Sequence, residues 1–196
     1  MNRADVRELH YISAIANVIS ILQHGILSHT LAAELIHHSV AMPEIQERRR
    51  NKQIPGARRL HDYANLYFDA HNPMLSRCRE RNDEICVLRV EPVVLDLPGV
   101  ILTDRNAAAD WAGFWPVNDG LRRIDRERVF DRFWLHPDDF LDERSHKAEK
   151  CAEVLVPDRV DAQLVTGAYV ANQTALTTFQ SLGTRSAVRI RGDMFF

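Results

Sequence analysis

The sequence predicts an α+β fold, on three observations. Short apolar runs rich in branched residues, such as Ile85-Cys86-Val87-Leu88-Arg89-Val90 and Val154-Leu155-Val156, have the composition of strands. Between such runs lie segments with helical periodicity, Ile15, Val18, Ile19 and Leu22 forming one set and Asn172 to Leu182 another. The two kinds do not alternate as regular βαβ units, which disfavours a doubly wound parallel sheet.

In order along the chain, Leu9 to Ser13 reads as a strand feeding a helix that ends at Gly25. A second helix is expected over Leu31 to Ser39. A third starts at Pro43, a residue suited to the first helical position, with Glu44 near its start and Arg48, Arg49 and Arg50 towards its end. Leu66-Tyr67-Phe68, Ile85 to Val90 and Val100 to Leu102 are strand candidates. From Asn106 to Lys150 the pattern is helical and aromatic-rich, interrupted by Pro116 and Pro137. Val154 to Val156, Ala162 to Val165 and Ala187 to Ile190 resume the strands, with the Asn172 to Leu182 helix before the last.

Composition narrows the classes. A chain of 196 residues, 45% of them hydrophobic, suits one domain spanning 1–196, and no repeat or Pro/Gly/Ser-rich linker divides it. With 25 Lys plus Arg against 27 Asp plus Glu, the net charge of -2 gives no whole-molecule attraction to nucleic acid, so any such site is a local patch. Cys78, Cys86 and Cys151 form an odd set without CxxC spacing, which argues for reduced thiols in a cytoplasmic protein and against a disulfide framework or a zinc site. No secretory or membrane-spanning run is present. GxGxxG, GxxxxGK[ST] and GxSxG strings are absent, which disfavours Rossmann, P-loop and α/β-hydrolase enzymes.

Three stretches carry candidate chemistry. Arg48, Arg49, Arg50, Lys52, Arg58 and Arg59 lie close together; such a run is commonly a solvated helix face, and alternatively a phosphate-binding one, since the guanidinium fork matches phosphate oxygens. Glu153 stands at the mouth of an apolar strand, where it either faces solvent or holds a carboxylate rigidly against a reacting centre. His61-Asp62-Tyr63 through Asn72-Pro73-Met74-Leu75 mixes polar and aromatic residues around a strand, with Tyr67 and Phe68 read as core. The nine histidines offer no metal-ligand spacing, and no metal is expected.

Taken in order, these segments resemble the DarT family of DNA ADP-ribosyltransferases. His10-Tyr11-Ile12-Ser13 with Asn17 and Ile21-Leu22-Gln23-His24-Gly25 is similar to the family's opening Tyr-His-Ile-Thr, Asn-Leu and Ile-Leu-x-x-Gly; Ile45 to Arg49 is similar to Ile-Gln-x-Arg-Arg. Leu60 to Phe68 with Asn72 to Leu75 resembles His-Asp-Tyr-Val-Pro-Phe-Tyr-Phe and Ser-Pro-Met-Leu. Leu102 to Ala107 resembles Phe-Thr-Asp-Gly-Asn-Ala, Trp134 fits a recurrent tryptophan, and Cys151 to Val156 resembles Gln-Ala-Glu-Phe-Leu-Val with its glutamate. Tyr11 stands where the family has a histidine, and Asn65 where it has a proline.

The resemblance implies an ADP-ribosyltransferase (PARP-like) fold, a split, mainly antiparallel sheet with NAD held in the cleft between its halves. It implies an enzyme that transfers ADP-ribose from NAD, its only cofactor, to a base of single-stranded DNA, guanine being favoured over thymine, as the toxin of a pair with a DarG-type macrodomain antitoxin. Glu153 would be the catalytic carboxylate, with Arg48 or Arg49 holding the pyrophosphate. His10, Tyr11, Ser13, Asn17 and Tyr63 would contact NAD, the alternative for Ser13 and Asn17 being capping of the helix that follows. Met74, His146 and Lys147 would contact DNA. The competing readings are a same-fold transferase acting on protein or RNA, and a non-catalytic nucleic-acid-binding module using the Arg48 to Arg59 cations.

Overall fold

The computed structural model describes residues 1–196. Its strands are β1 (Leu9–Ala14), β2 (Ile26–Leu27), β3 (Tyr63–Tyr67), β4 (Ile85–Val90), β5 (Ile101–Thr103), β6 (Phe114–Pro116), β7 (Glu153–Pro157), β8 (Arg159–Val160), β9 (Val165–Val170) and β10 (Val188–Ile190). The α-helices are α1 (Val18–His24), α2 (His29–Ala32), α3 (Pro43–Arg50), α4 (Pro73–Arg77), α5 (Val117–Arg123), α6 (Arg126–Phe130), α7 (Phe140–Glu149) and α8 (Gln173–Gln180). No helix is long and apolar enough to cross a membrane.

Eight strands form one sheet in the order β10-β9-β4-β1-β3-β7-β5-β6, antiparallel throughout except for the parallel β9–β10 pair. β1 pairs with β4 along its whole length, from Leu9↔Val90 to Ala14↔Ile85, and β3 with β7 from Tyr63↔Pro157 to Tyr67↔Glu153. Between β1 and β3 the single register pair is His10↔Tyr67. The sheet is therefore two four-stranded halves hinged at one pair, and beyond His10 the edge of β1 parts from β3. A split sheet is what the resemblance implied.

Side-chain alternation assigns the two faces. Leu9, Leu66, Leu88, Val154 and Val156 point one way and join Val18 of α1, Leu121 of α5 and Phe179 of α8 in the larger core. Ile12, Tyr67 and Val87 point the other way and pack with Leu75, Cys151 and Phe195, while Tyr63 and Leu155 pack with Ile54, Leu60 and Ala107. Burying each large aliphatic side chain contributes roughly 1.5–3 kcal/mol, so the larger core anchors the sheet while the second face leaves room at the split. The three cysteines are buried and unpaired.

Sequence and structure part at three places. The helix expected over Leu31 to Ser39 is the short α2, after which the chain crosses to α3 without regular structure. Ser28 caps α2, its hydroxyl accepting from the Leu31 N–H, so that the helix begins earlier than the apolar pattern suggests. The aromatic stretch after Asn106 contains a strand, β6, that pairs with β5 and caps the sheet edge. Ala162 to Leu164 is a 3₁₀ turn, and the strand begins only at Val165. Gly25 ends α1 with φ at 86°, and a Cβ there would lie 2.2 Å from the Val160 carbonyl oxygen, so glycine lets the chain turn directly into the β2–β8 pair.

Candidate active site

Glu153 is the first residue of β7, and its carboxylate is fully buried. Oε1 accepts from Nη1 of Arg49 at 3.0 Å and from the N–H of Ala107 at 2.9 Å, and Oε2 accepts from Nη2 of Arg49 at 3.0 Å. The strand end is itself held, the Glu153 N–H donating to Oγ1 of Thr103 at 3.0 Å while that hydroxyl donates to the Arg105 carbonyl at 2.6 Å. Burial opposes the charge on Arg49, but the facing Glu153 outweighs it through charge and hydrogen bonds and raises the guanidinium pKa. Fork-to-fork geometry of this kind fixes orientation as well as energy. Arg49 stands in the last turn of α3, where a cation complements the helix dipole.

The split opens into a cleft of about 360 Å³, and its lining includes Tyr11, Ser13, Asn17, Gln46, Arg49 and Tyr67. Arg49 faces the cleft on one side and Glu153 on the other, so the guanidinium stands between carboxylate and cleft. Tyr67 lies opposite Glu153 in the β3–β7 register and opposite His10 in β1. Burial first, and then the neighbouring Glu153, push its phenol well above the ordinary tyrosine range, so Tyr67 is a neutral hydroxyl beside the ion pair. Gln46 also lines this cleft, and its Oε1 is buried without a donor in the protein. A buried acceptor left without a partner is costly, and a ligand hydroxyl or amide would satisfy it.

One side chain ties the roof to the wall. Asn17 donates through Nδ2 to the His38 carbonyl and accepts through Oδ1 from the His38 N–H, each at 2.9 Å, which clamps the segment between α2 and α3 over the cleft. Its Nδ2 also donates to the Ser13 hydroxyl at 3.3 Å. Neither residue makes a side-chain capping bond to α1, so the capping alternative does not hold.

Of the other residues singled out in the sequence, Tyr11 and Ser13 line the cleft from the free edge of β1, and Met74 lines it from α4. Arg48 is exposed on the outer side of α3, one helical step from Arg49, and is not part of the lining. His10 is withdrawn as well: its Nε2 engages Oε1 of Glu8 at 3.2 Å, in a cluster completed by Arg89 and Tyr169. Tyr63, four residues before Tyr67 on the same face, lies too far along β3 and is packed among Ile54, Leu60 and Leu155. His146 is buried in α7, with Nδ1 on His136 at 2.8 Å and Nε2 on the Arg128 carbonyl at 3.0 Å, so it has no free edge for a ligand. Lys147 pairs with Glu143 and faces a neighbouring groove. Tyr67, Gln46 and Asn106 line the cleft without having been singled out; for Tyr67 the signal was its place in the strand that pairs with that of Glu153.

The sequence and the fold both have parallels in known proteins. The chain is 28% identical over 97% of its length to the DNA ADP-ribosyl transferase–DNA ADP-ribosyl glycohydrolase fusion protein of Thermosipho africanus, of which it spans about half (49%). It is 25% identical over 89% of its length to a DNA ADP-ribosyl transferase of Thermus aquaticus, covering 79% of that protein. The fold superposes on Thermosipho africanus DarTG in complex with ADP-ribose with a TM-score of 0.84, at 28% identity over 97% of this chain and 51% of the other. On Thermus sp. 2.9 DarT in complex with ADP-ribosylated ssDNA the TM-score is 0.82, at 24% identity over 98% and 97% of the two chains. Residues 10–196 match the family model described as ssDNA thymidine ADP-ribosyltransferase, DarT, and since that match takes in the opening strand, the arginine helix and the glutamate strand together, the chain belongs to the DarT family.

Proposed function

We propose that this chain transfers ADP-ribose from NAD to a base of single-stranded DNA, with Glu153 as the catalytic carboxylate and residues 1–196 acting as one catalytic domain. The observation that carries this reading is the buried Arg49–Glu153 pair beside a cleft whose Gln46 oxygen awaits a donor. Family membership and the ADP-ribose bound by the Thermosipho relative support it.

When the bond between nicotinamide and ribose breaks, its electron pair leaves with nicotinamide and positive charge develops on the ribose, as in glycoside hydrolysis. Glu153, rigidly placed at the start of β7, stabilises that charge. A base nitrogen then supplies the electron pair of the new bond to the ribose and loses a proton to Glu153, whose carboxylate faces the cleft once bound NAD draws Arg49 onto its pyrophosphate. Arg49 is a cation at the cleft and fits the pyrophosphate; the main chain of Tyr11 to Ser13, on the free edge of β1, fits the nicotinamide amide. A single strand presents its bases without the unpairing cost of roughly a few kcal/mol.

Guanine is the proposed acceptor, on the ground of the divergent opening His10-Tyr11-Ile12-Ser13; thymine, the base in the family description, is the competing outcome. A toxin role beside a macrodomain antitoxin of the DarG type draws support from the Thermosipho relative, which carries a glycohydrolase in the half this chain does not span. Buried, unpaired cysteines accord with a cytoplasmic setting. The test is mass spectrometry of single-stranded oligonucleotides, lacking either guanine or thymine, after incubation with enzyme and NAD. One added ADP-ribose per strand, absent with Glu153→Gln, is expected. Oligonucleotides left unmodified with NAD intact overturn the reading, and label confined to protein or RNA replaces its substrate.

A further inference from the structure

A second groove, about 760 Å³, opens next to the candidate cleft and shares Pro73 and Arg77 of α4 with it. Its lining carries Arg77, Arg79, Arg132 and Lys147 against a single acid, Glu80. In a chain with 25 Lys plus Arg and 27 Asp plus Glu, that is a local reversal of the overall balance. Arg79 is tied to Glu80 and Lys147 to Glu143, whereas Arg77 and Arg132 form no salt bridge.

Next to Arg132 the Phe133 side chain is 71% exposed, while the adjoining Trp134 is 8% exposed. Trp134 is fixed from below by the ammonium of Lys150, 5.9 Å from its ring centre, and Lys150 is itself held by Asp69 and the carbonyls of Val129 and Asp131. The exposed ring therefore stands on an anchored segment, next to the Arg132 guanidinium, which forms no salt bridge. Aromatic faces interleaved with unpaired cations are how proteins hold single strands, bases stacking on the rings and phosphates meeting the cations.

We propose that this groove holds the nucleotides flanking the modified base, with Phe133 as a stacking platform and Arg77 and Arg132 as phosphate contacts. The strand crosses α4 where the two depressions share Arg77, so one molecule of substrate fills both. This inference rests on the transfer reaction proposed above and adds to it a requirement for length: a strand long enough to reach Arg132 binds better than one confined to the cleft.

The test compares the parent chain, Arg77→Ser/Arg132→Ser and Phe133→Ala, each with a long single-stranded oligonucleotide and with one trimmed to the target base and its immediate neighbours. For the long strand the double variant raises KM about tenfold and flattens the slope of log affinity against log salt by about 1.4, two phosphate contacts at roughly 0.7 each. Phe133→Ala raises the same KM about fivefold or more, the loss of one stacked base. For Phe133→Ala, which lies outside the cleft, KM for the trimmed strand and kcat on either strand stay at parental values. Unchanged KM and salt slope on the long strand overturn the groove. A parent chain that modifies neither strand removes the transfer reading beneath it, which separates the two failures.

Discussion

Arg49 grips both carboxylate oxygens of Glu153, each at 3.0 Å, and joins α3 to β7 across 104 residues of sequence. With side chains 8% and 0% exposed, the two charges exist in the core because each neutralises the other. Removing one partner leaves an uncompensated buried charge, at a cost of about 3–5 kcal/mol. Arg49→Met is therefore expected to lower Tm by about 10 °C, at the roughly 2–4 °C per kcal/mol typical of this chain length. Arg49→Met/Glu153→Leu, which removes both charges, regains most of that loss while losing DNA modification. Thermal melts of the two variants decide it: a double variant as unstable as the single one would mean the pair is not what strains the core.

Thr103 predicts a separable effect. Its hydroxyl receives the Glu153 N–H and donates to the Arg105 carbonyl, at the start of the loop whose Ala107 N–H returns to the Glu153 carboxylate. Thr103→Val keeps the shape but leaves the buried Glu153 N–H unpaired, at a cost of about 1–3 kcal/mol, and frees the part-buried Arg105 carbonyl. The carboxylate then loses its fixed position, and a small misplacement is expensive in catalysis. The expected result is a kcat reduced on the order of tenfold or more with KM for NAD unchanged, and recovery in Thr103→Ser. A kcat for Thr103→Ser as low as that of Thr103→Val would show the methyl group, not the hydroxyl, to matter.

Much of this arrangement was legible in the residues, and its limits have physical causes. β4 coincides with its branched apolar run, and α3 starts at Pro43 because proline fits the first helical turn. The choice between Arg48 and Arg49 was not legible, since successive residues point about 100° apart around a helix and only the packing of α3 against the sheet selects the one that turns inward. Tyr67 was read as core because a buried aromatic in a strand usually is; its position across from Glu153 depends on the β3–β7 register, which local sequence does not state. β6 escaped notice because three residues ending in proline carry too little alternation to mark a strand. Gln46 differs again: its significance lies in a missing partner, visible only when every neighbour is placed.

Stability should respond to acid in two successive windows that overlap slightly. Burial, reinforced by the cations of His29, Arg49 and Arg50, lowers the His61 imidazole from 6.5 to about 4. The folded chain then binds its proton less readily than the unfolded chain, so stability is lost as pH falls from 6.5 to about 4 and levels off below. Glu8 is lowered from 4.5 to about 2, first by its hydrogen bond with His10 and, against the opposing effect of burial, by Arg89 and Tyr169. Its contribution is complete above 4.5 and disappears as pH falls towards 2. His61→Gln should flatten the stability profile in the upper window and Glu8→Gln in the lower one. Denaturant titrations across both windows measure this, and a parental profile in His61→Gln would show that His61 is not the titrating group.

The roof of the cleft gives the last prediction. Asn17 holds His38 by two hydrogen bonds at 2.9 Å, and the chain from Ala33 to Met42 has no regular structure of its own to keep it in place. That segment contributes His37, His38, Ser39, Val40, Ala41 and Met42 to the cleft lining, so whatever fixes it fixes the shape offered to NAD. Asn17→Ala removes both bonds at a part-exposed site, where each contributes only about 0.5–1.5 kcal/mol and water replaces the lost partner. The fold should therefore keep its Tm within a few degrees, while the segment spends more time away from the cleft and NAD must order it on binding. KM for NAD is expected to rise about five- to tenfold with kcat much less affected, the pattern of lost binding rather than lost transition-state stabilisation. Limited proteolysis supplies an independent reading, since cleavage between Ala33 and Met42 should accelerate in Asn17→Ala and slow again when NAD is added. If the segment is cut no faster and KM is unchanged, the clamp does not hold the roof, and its order must come from packing of Val40 against the smaller core below.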